Sequence, residues 1–157
     1  MGRVLKRVAR VPWAKLSDSQ GSAQGIPALL STLAWGDQES ASAALDELSD
    51  RVCALGFVVS EATAHVVPFL VELADDSAGR HRADILALLA GIHAARQWES
   101  TAAAATGKDA EKYQEKVAWE AAGRSAVAAG LEVFRRLLDD PDPDVARAAR
   151  DLVSVLE

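Results

Sequence analysis

Three apolar stretches of one pattern recur along the chain, and they constrain its fold more than any other feature. IPALLSTLA (26–34) set above VVPFLVELA (66–74) places Leu30 over Leu70, Leu33 over Leu73 and Ala34 over Ala74. GLEVFRRLL (130–138) puts Phe134, Leu137 and Leu138 in the same places. Each copy is followed by an acidic or polar turn and then a second amphipathic segment. The first two copies lie 40 residues apart, a spacing that fits repeats built from one helix pair (about 40–47 residues). The next spacing is 64, one repeat plus a surplus that falls on residues 97–120. The expectation is an all-α solenoid of three antiparallel helix pairs, with a helical insertion between units two and three. Such a unit cannot bury its apolar face alone, so neighbouring pairs must stack.

Composition agrees with helices. There are 32 alanines against three Phe and one Tyr. Alanine has the highest helix propensity, whereas strands favour β-branched and aromatic residues. Apolar residues at a period of 3.6 then mark the segments. The stripes are Ile26, Leu29, Leu30 and Leu33; Ala41, Ala44, Leu45, Leu48 and Val52; Val66, Phe69, Leu70 and Leu73; and Ile85, Leu88, Leu89 and Ile92. Val117 to Leu138 reads as one helix containing Gly123 and Gly130, and Val145, Ala149, Leu152, Val153 and Leu156 stripe the last helix. That helix has the clearest start. Asp142 is placed to accept from the free N–H groups of the first turn, Pro143 suits the first helical position, and Asp144 complements the helix dipole. Thr106 with Asp109 makes a weaker capping pair.

LLDDPDPDVARAARDLVSVL (137–156) resembles the acidic turn, Val, small residue and Leu pattern of HEAT repeats. ATAHVVPFLVELA (62–74) carries Pro68 inside a first helix, as HEAT first helices often do. Over about residues 24–156 the chain is similar to small HEAT-repeat proteins of high-GC bacteria. The resemblance implies a HEAT-like α-solenoid and protein interaction, with no particular activity. The family usually places Arg directly after the Val of the turn. Here Ala146 stands there, with Arg147 next, so the resemblance does not carry an Arg–Asp clamp to that unit.

Charge divides the chain. Residues 1–16 hold Arg3, Lys6, Arg7, Arg10 and Lys15 and no acid, while the remainder holds 12 bases against 23 acids. The reading is a basic, solvated N-terminal arm (1–21) on an acidic domain (22–157). An acidic body disfavours nucleic acid as the main ligand, since phosphate contacts need a basic surface. A single cysteine, Cys53, on an expected amphipathic helix, permits no intrachain disulfide and fits the reducing cytoplasm. No apolar run of signal-peptide kind follows the basic start, and Ile85–Ile92 is far too short to span a bilayer.

No catalytic set is legible. His65, His81 and His93 match no short metal-ligand motif, so no metal or cofactor is expected. A Gly-x-Ser-x-Gly elbow, a P-loop and a dinucleotide fingerprint are all missing, and the acidic pairs Asp75-Asp76 and Asp139-Asp140 sit in repeat turns, where they suit helix N-termini. The chain is therefore expected not to be an enzyme.

Partner binding is expected at two kinds of place. Trp13 can pin the arm to the first helix pair. Trp35 stands in an inter-helix turn, and Trp98, Tyr113 and Trp119 bracket the insertion; Trp and Tyr bring large contact area at low entropy cost. The inner face of second helices offers Glu39, Asp46 and Asp50 as an acidic strip, an i,i+4 pair of Arg80 with Asp84, and another of Arg147 with Asp151. The leading reading is a non-enzymatic scaffold or adaptor that binds another protein. One alternative is an immunity-type protein whose acidity neutralises a basic toxin. Another is a nucleic-acid-binding relative of HEAT-like DNA glycosylases, disfavoured by the acidic body. The apolar C-terminal edge of Val153, Val155 and Leu156 raises a homodimer as a further possibility.

Overall fold

The computed structural model describes residues 4–157, and the chain is mostly helical. In chain order the helices are α1 (Ile26–Trp35), α2 (Gln38–Val52), α3 (Thr63–Asp75), α4 (Arg82–Ala94), α5 (Gln97–Ala104), α6 (Lys108–Lys112), α7 (Gln114–Ala128), α8 (Leu131–Leu137) and α9 (Pro143–Leu156). Two minimal antiparallel ladders join them: β1 (Ser17–Asp18) with β2 (Gly21–Ser22), and β3 (Cys53–Ala54) with β4 (Val58–Val59). Helix α1 packs on α2, α3 on α4, and α8 on α9. Helix α7 lies against both α3 and α4, and α4 also packs on α9. No helix is long and apolar enough to cross a membrane among the described residues.

Most residues of the expected stripes are buried, with Leu29, Val153 and Leu156 only partly covered and an instructive departure in α4. There Ile85, Leu89 and Ile92 are buried as expected, but Leu86 is buried too and Leu88 is only partly covered. Helix α4 is packed on three sides, by α3, α7 and α9, so one stripe no longer describes it. The α9 start is as expected: Asp142 Oδ1 accepts from the Asp144 N–H at 2.9 Å, with Pro143 in the first turn.

The expected helix from Val117 to Leu138 is broken at Ala129–Gly130. A Cβ on Gly130 would lie 2.9 Å from Phe134 Cζ and 3.1 Å from Val71 Cγ2. The bare glycine thus lets the start of α8 close onto α3. The segment expected as an insertion, 97–120, is divided among three helices. Residues 97–112 form α5 and α6, whereas 114–120 open α7, a body helix that buries Glu120, Gly123 and Val127. An alanine-rich helix that buries glycine and glutamate gives no strong apolar stripe, which hid it from periodicity.

Residues 4–22 are not a solvated arm. Leu5 and Trp13 belong to the same buried core as the helices. Trp13 packs on Phe69 of α3, ring centroids 6.2 Å apart, so it pins the segment to the second helix pair rather than the first. The Leu5 N–H donates to Glu72 of α3 at 3.2 Å, and the Ser17 N–H to Glu61 at 2.9 Å. Lys6, Arg7, Arg10 and Lys15 remain exposed.

Candidate functional site

Helix α2 begins at Asp37, whose Oδ1 accepts from the Ser40 N–H at 2.7 Å. Its apolar face buries Ala41, Ala44, Leu45, Leu48 and Val52. The remaining face turns Ser42, Asp46, Ser49 and Asp50 toward α4. At the helix N-termini the two walls are tied by His81 Nε2 and the Gln38 carbonyl, 3.0 Å apart. At the other end the chain leaves α2 through the β3–β4 hairpin, whose tip reaches α4: a Cβ on Gly91 would lie 3.4 Å from the Gly56 carbonyl oxygen. Between these ties the helices part, leaving a groove of about 480 Å³. Leu45, Cys53, Ala87, Leu88 and Gly91 line it, with Asp46 and Asp50 on one wall, Asp84 on the other, and Leu55 and Gly56 closing the end.

The hairpin that closes the groove is anchored from behind. The Ser60 Oγ donates to the Arg51 carbonyl at 3.0 Å, and Thr63 Oγ1 donates to the Val52 carbonyl. Orphan carbonyls at the α2 C-terminus thereby gain partners. The Trp98 indole N–H donates to the Val59 carbonyl at 2.9 Å. Leu55 at the tip is in the left-handed region (φ 58°), next to Gly56 at φ 87°. Leu55 is 82% exposed and Phe57 46%. A leucine held at positive φ with its side chain in water is unfavourable on both counts.

The charges of the groove are uncompensated. Among the described residues Asp46 and Asp50 have no basic side chain within 4.0 Å, and Asp84 meets only His81 Nδ1 at 3.8 Å. The expected Arg80–Asp84 pair does not form, because α4 starts at Arg82 and leaves Arg80 in the preceding loop. Arg147 likewise pairs with Asp144 at 3.7 Å rather than with Asp151. Cys53 stands on β3, not on a helix, and burial pushes its thiol up to about 11. It stands in the groove wall as a thiol at physiological pH. No group of three or more His, Cys, Asp or Glu is disposed to hold a metal ion among the described residues.

The sequence-predicted residues thus fall into separate places. Asp46 and Asp84 line opposite walls of the groove. Glu39 is exposed two turns nearer the α2 N-terminus, beyond the groove lining. Trp35 is the last residue of α1 rather than a turn residue, and is 46% exposed. Trp98, Tyr113 and Trp119 gather behind the hairpin. The Trp98 and Tyr113 rings stack at 6.2 Å, with Lys116 Nζ 4.4 Å from the Trp98 centroid. Trp98, Lys116 and Trp119 line a cavity of about 370 Å³ with Val58 and Val59 of the hairpin. Fully buried Glu120 accepts from the Trp98 and Glu99 N–H groups at 2.8 and 2.9 Å. It caps α5 from across the fold and fixes the aromatic cluster.

Sequence reasoning missed the hairpin and Arg82. Phe57-Val58-Val59 beside Gly56 carried a strand signal of β-branched and aromatic residues after a turn residue. Arg82 is buried, its Nε donating to the Ala74 carbonyl at 2.8 Å and its terminal nitrogens to Asp140 at 2.8 and 3.4 Å. The Arg82 guanidinium, with the Asp142 N–H, holds the Asp140 carboxyl below its ordinary range. An Arg–Asp clamp therefore exists, from the second helix pair to the turn before α9. No family model, curated protein or solved structure matches the chain.

Proposed function

We propose that this chain is a non-enzymatic protein-binding module, a HEAT-like stack of helix pairs that receives its partner in the groove between α2 and α4. The stacked reading is supported by the pairs α1–α2, α3–α4 and α8–α9, by Pro68 inside α3, and by the Arg82–Asp140 bridge between successive pairs. The binding reading rests on one observation above others: unpaired Asp46 and Asp50 beside the exposed, left-handed Leu55 at the mouth of the groove. Among the described residues the Asp46 and Asp50 carboxylates have no ion-pair partner, and the Leu55 side chain is 82% exposed. Asp50 adds negative charge at the C-terminal end of α2, where the dipole is already negative, and sits one turn from Asp46. An acidic groove favours a basic partner, and the immunity-type reading is a narrower form of the same idea.

The test is site-specific photo-cross-linking in the native cells, with p-benzoylphenylalanine at Ser42 or Ala87 and, as a control, at Glu132. The expected outcome is a discrete protein adduct from the groove positions that is weakened by Leu55→Gly and absent at Glu132. Equal labelling at all three positions, or none, would overturn the reading.

A further inference from the structure

The groove also says what kind of segment it takes. Its α2 wall runs from Ser42 to Asp50 and is prolonged by Cys53 of β3, a span close to three helical turns at about 1.5 Å per residue. Both walls are helix surfaces, whose backbone donors and acceptors are already satisfied within α2 and α4. An extended peptide would leave its own N–H and C=O groups unpaired against such walls, whereas a helix satisfies them internally. Ala87 and Gly91, one turn apart on α4, remove side-chain bulk from one wall and admit a close helix axis. Asp46 and Asp50, likewise one turn apart, face the occupant with Asp84 opposite. Leu55 and Gly56 end the groove with apolar surface.

Resting on the binding reading above, we propose that the occupant is a basic amphipathic helix of about three turns. Its Lys or Arg residues, spaced i,i+4, lie along Asp46 and Asp50, and an apolar residue one turn further on packs against Leu55. Charge complementarity sets its polarity along the groove, since the acids stand mid-groove and the apolar stop at the hairpin end. Nucleic acid is repelled by the same carboxylates.

The test is fluorescence anisotropy with the whole chain and three labelled alanine-based helical peptides of about 14 residues. One carries two lysines four apart and a leucine four further on; the second has glutamates for the lysines; the third is a scramble of the first. The lysine peptide should bind, with the other two weaker by about tenfold or more and its affinity falling with salt. D46N/D50N and Leu55→Gly should each weaken it by about tenfold. All these substitutions are at exposed positions, and circular dichroism checks that the variants fold. Equal binding of lysine, glutamate and scrambled peptides, or no binding of any, would overturn the proposal. If groove-specific cross-links persisted in that case, protein binding would survive and only the basic helix would fall. Sedimentation velocity supplies the remaining outcome. A dimer abolished by K6E/R7E/R10E would assign the groove to the basic N-terminal segment of a second copy, and would equally overturn it.

Discussion

The contact between the first and second helix pairs and the contact between the second and third solve the same problem in opposite ways. Between α4 and the α8–α9 turn, Arg82 and Asp140 meet at 2.8 Å with both side chains almost fully covered, and α4 packs directly on α9. Between α2 and α4 the walls part, and Asp46, Asp50 and Asp84 face a groove with no arginine among them. Charged residues stand beside α4 in both places. Where the opposite charge is built into the chain the pair is structural; Asp46 and Asp50 stay without one among the described residues. Charge alone does not separate the two cases, but pairing does.

The largest effect is expected on the closed side. Removing one member of a buried ion pair leaves the other unpaired, so Arg82→Ala should destabilise by about 3–5 kcal/mol. Urea unfolding followed by circular dichroism measures it. A loss below about 1 kcal/mol would place the Arg82–Asp140 pair with surface salt bridges instead. The same pair predicts a pH response. Asp140 titrates below its ordinary value in the folded chain, so its contribution is complete above the unfolded carboxylate range, near pH 4. That contribution is lost as pH falls through the lower folded value. The difference in stability between the parent chain and Asp140→Asn should therefore shrink on acidification from pH 6 to about pH 3. A constant difference would dissociate the shift from stability.

Gly130→Ala probes the closed side sterically. The added Cβ would sit 2.9 Å from Phe134 and 3.1 Å from Val71, forcing α8 off α3 at an expected loss of about 1–3 kcal/mol. Thermal melting checks it. An unchanged Tm would mean that the Phe134 and Val71 side chains give way freely.

How much of this was legible in advance follows from the same contrast. The repeat stretches marked α1, α3 and α8, because apolar residues at helical spacing report burial on one face. Asp142-Pro143-Asp144 marked the start of α9, because caps are local. The Arg82–Asp140 clamp was not legible, because it links residues 58 apart and Asp140 reads equally well as a turn acid. Helix α7 was blurred because alanine, Gly123 and Glu120 give no stripe, although Glu120 is fully buried. Asp46 and Asp84 were singled out on separate helices, but only stacking shows that they line opposite walls of one groove. The exposed leucine at positive φ could not be anticipated, since a leucine in a short loop carries no left-handed signature of its own.

The open side should behave oppositely, and there substitutions are expected to stabilise. Leu55 holds a left-handed conformation (φ 58°) that costs a non-glycine residue about 1–2 kcal/mol. Leu55→Gly relieves it, offset by the greater freedom of glycine in the unfolded chain, for a net gain of up to about 1 kcal/mol. A loss of stability would show that Leu55 serves the fold after all.

The smallest effect discriminates best. Asp46 and Asp50 repel one another across one turn of α2, and Asp50 opposes the helix dipole. D46N/D50N should therefore leave stability unchanged or raise it by a few tenths of a kcal/mol, about 0.2–0.5. The gain should vanish at high salt, because exposed charges are screened beyond roughly 8–10 Å at ordinary ionic strength. Paired with the anisotropy measurement, this variant separates two kinds of residue. One whose removal costs the fold nothing and binding about tenfold belongs to the partner. If D46N/D50N instead unfolded the chain at lower urea, the two acids would have internal partners. The groove would then be a second closed contact, and the asymmetry between the two sides of α4 would disappear.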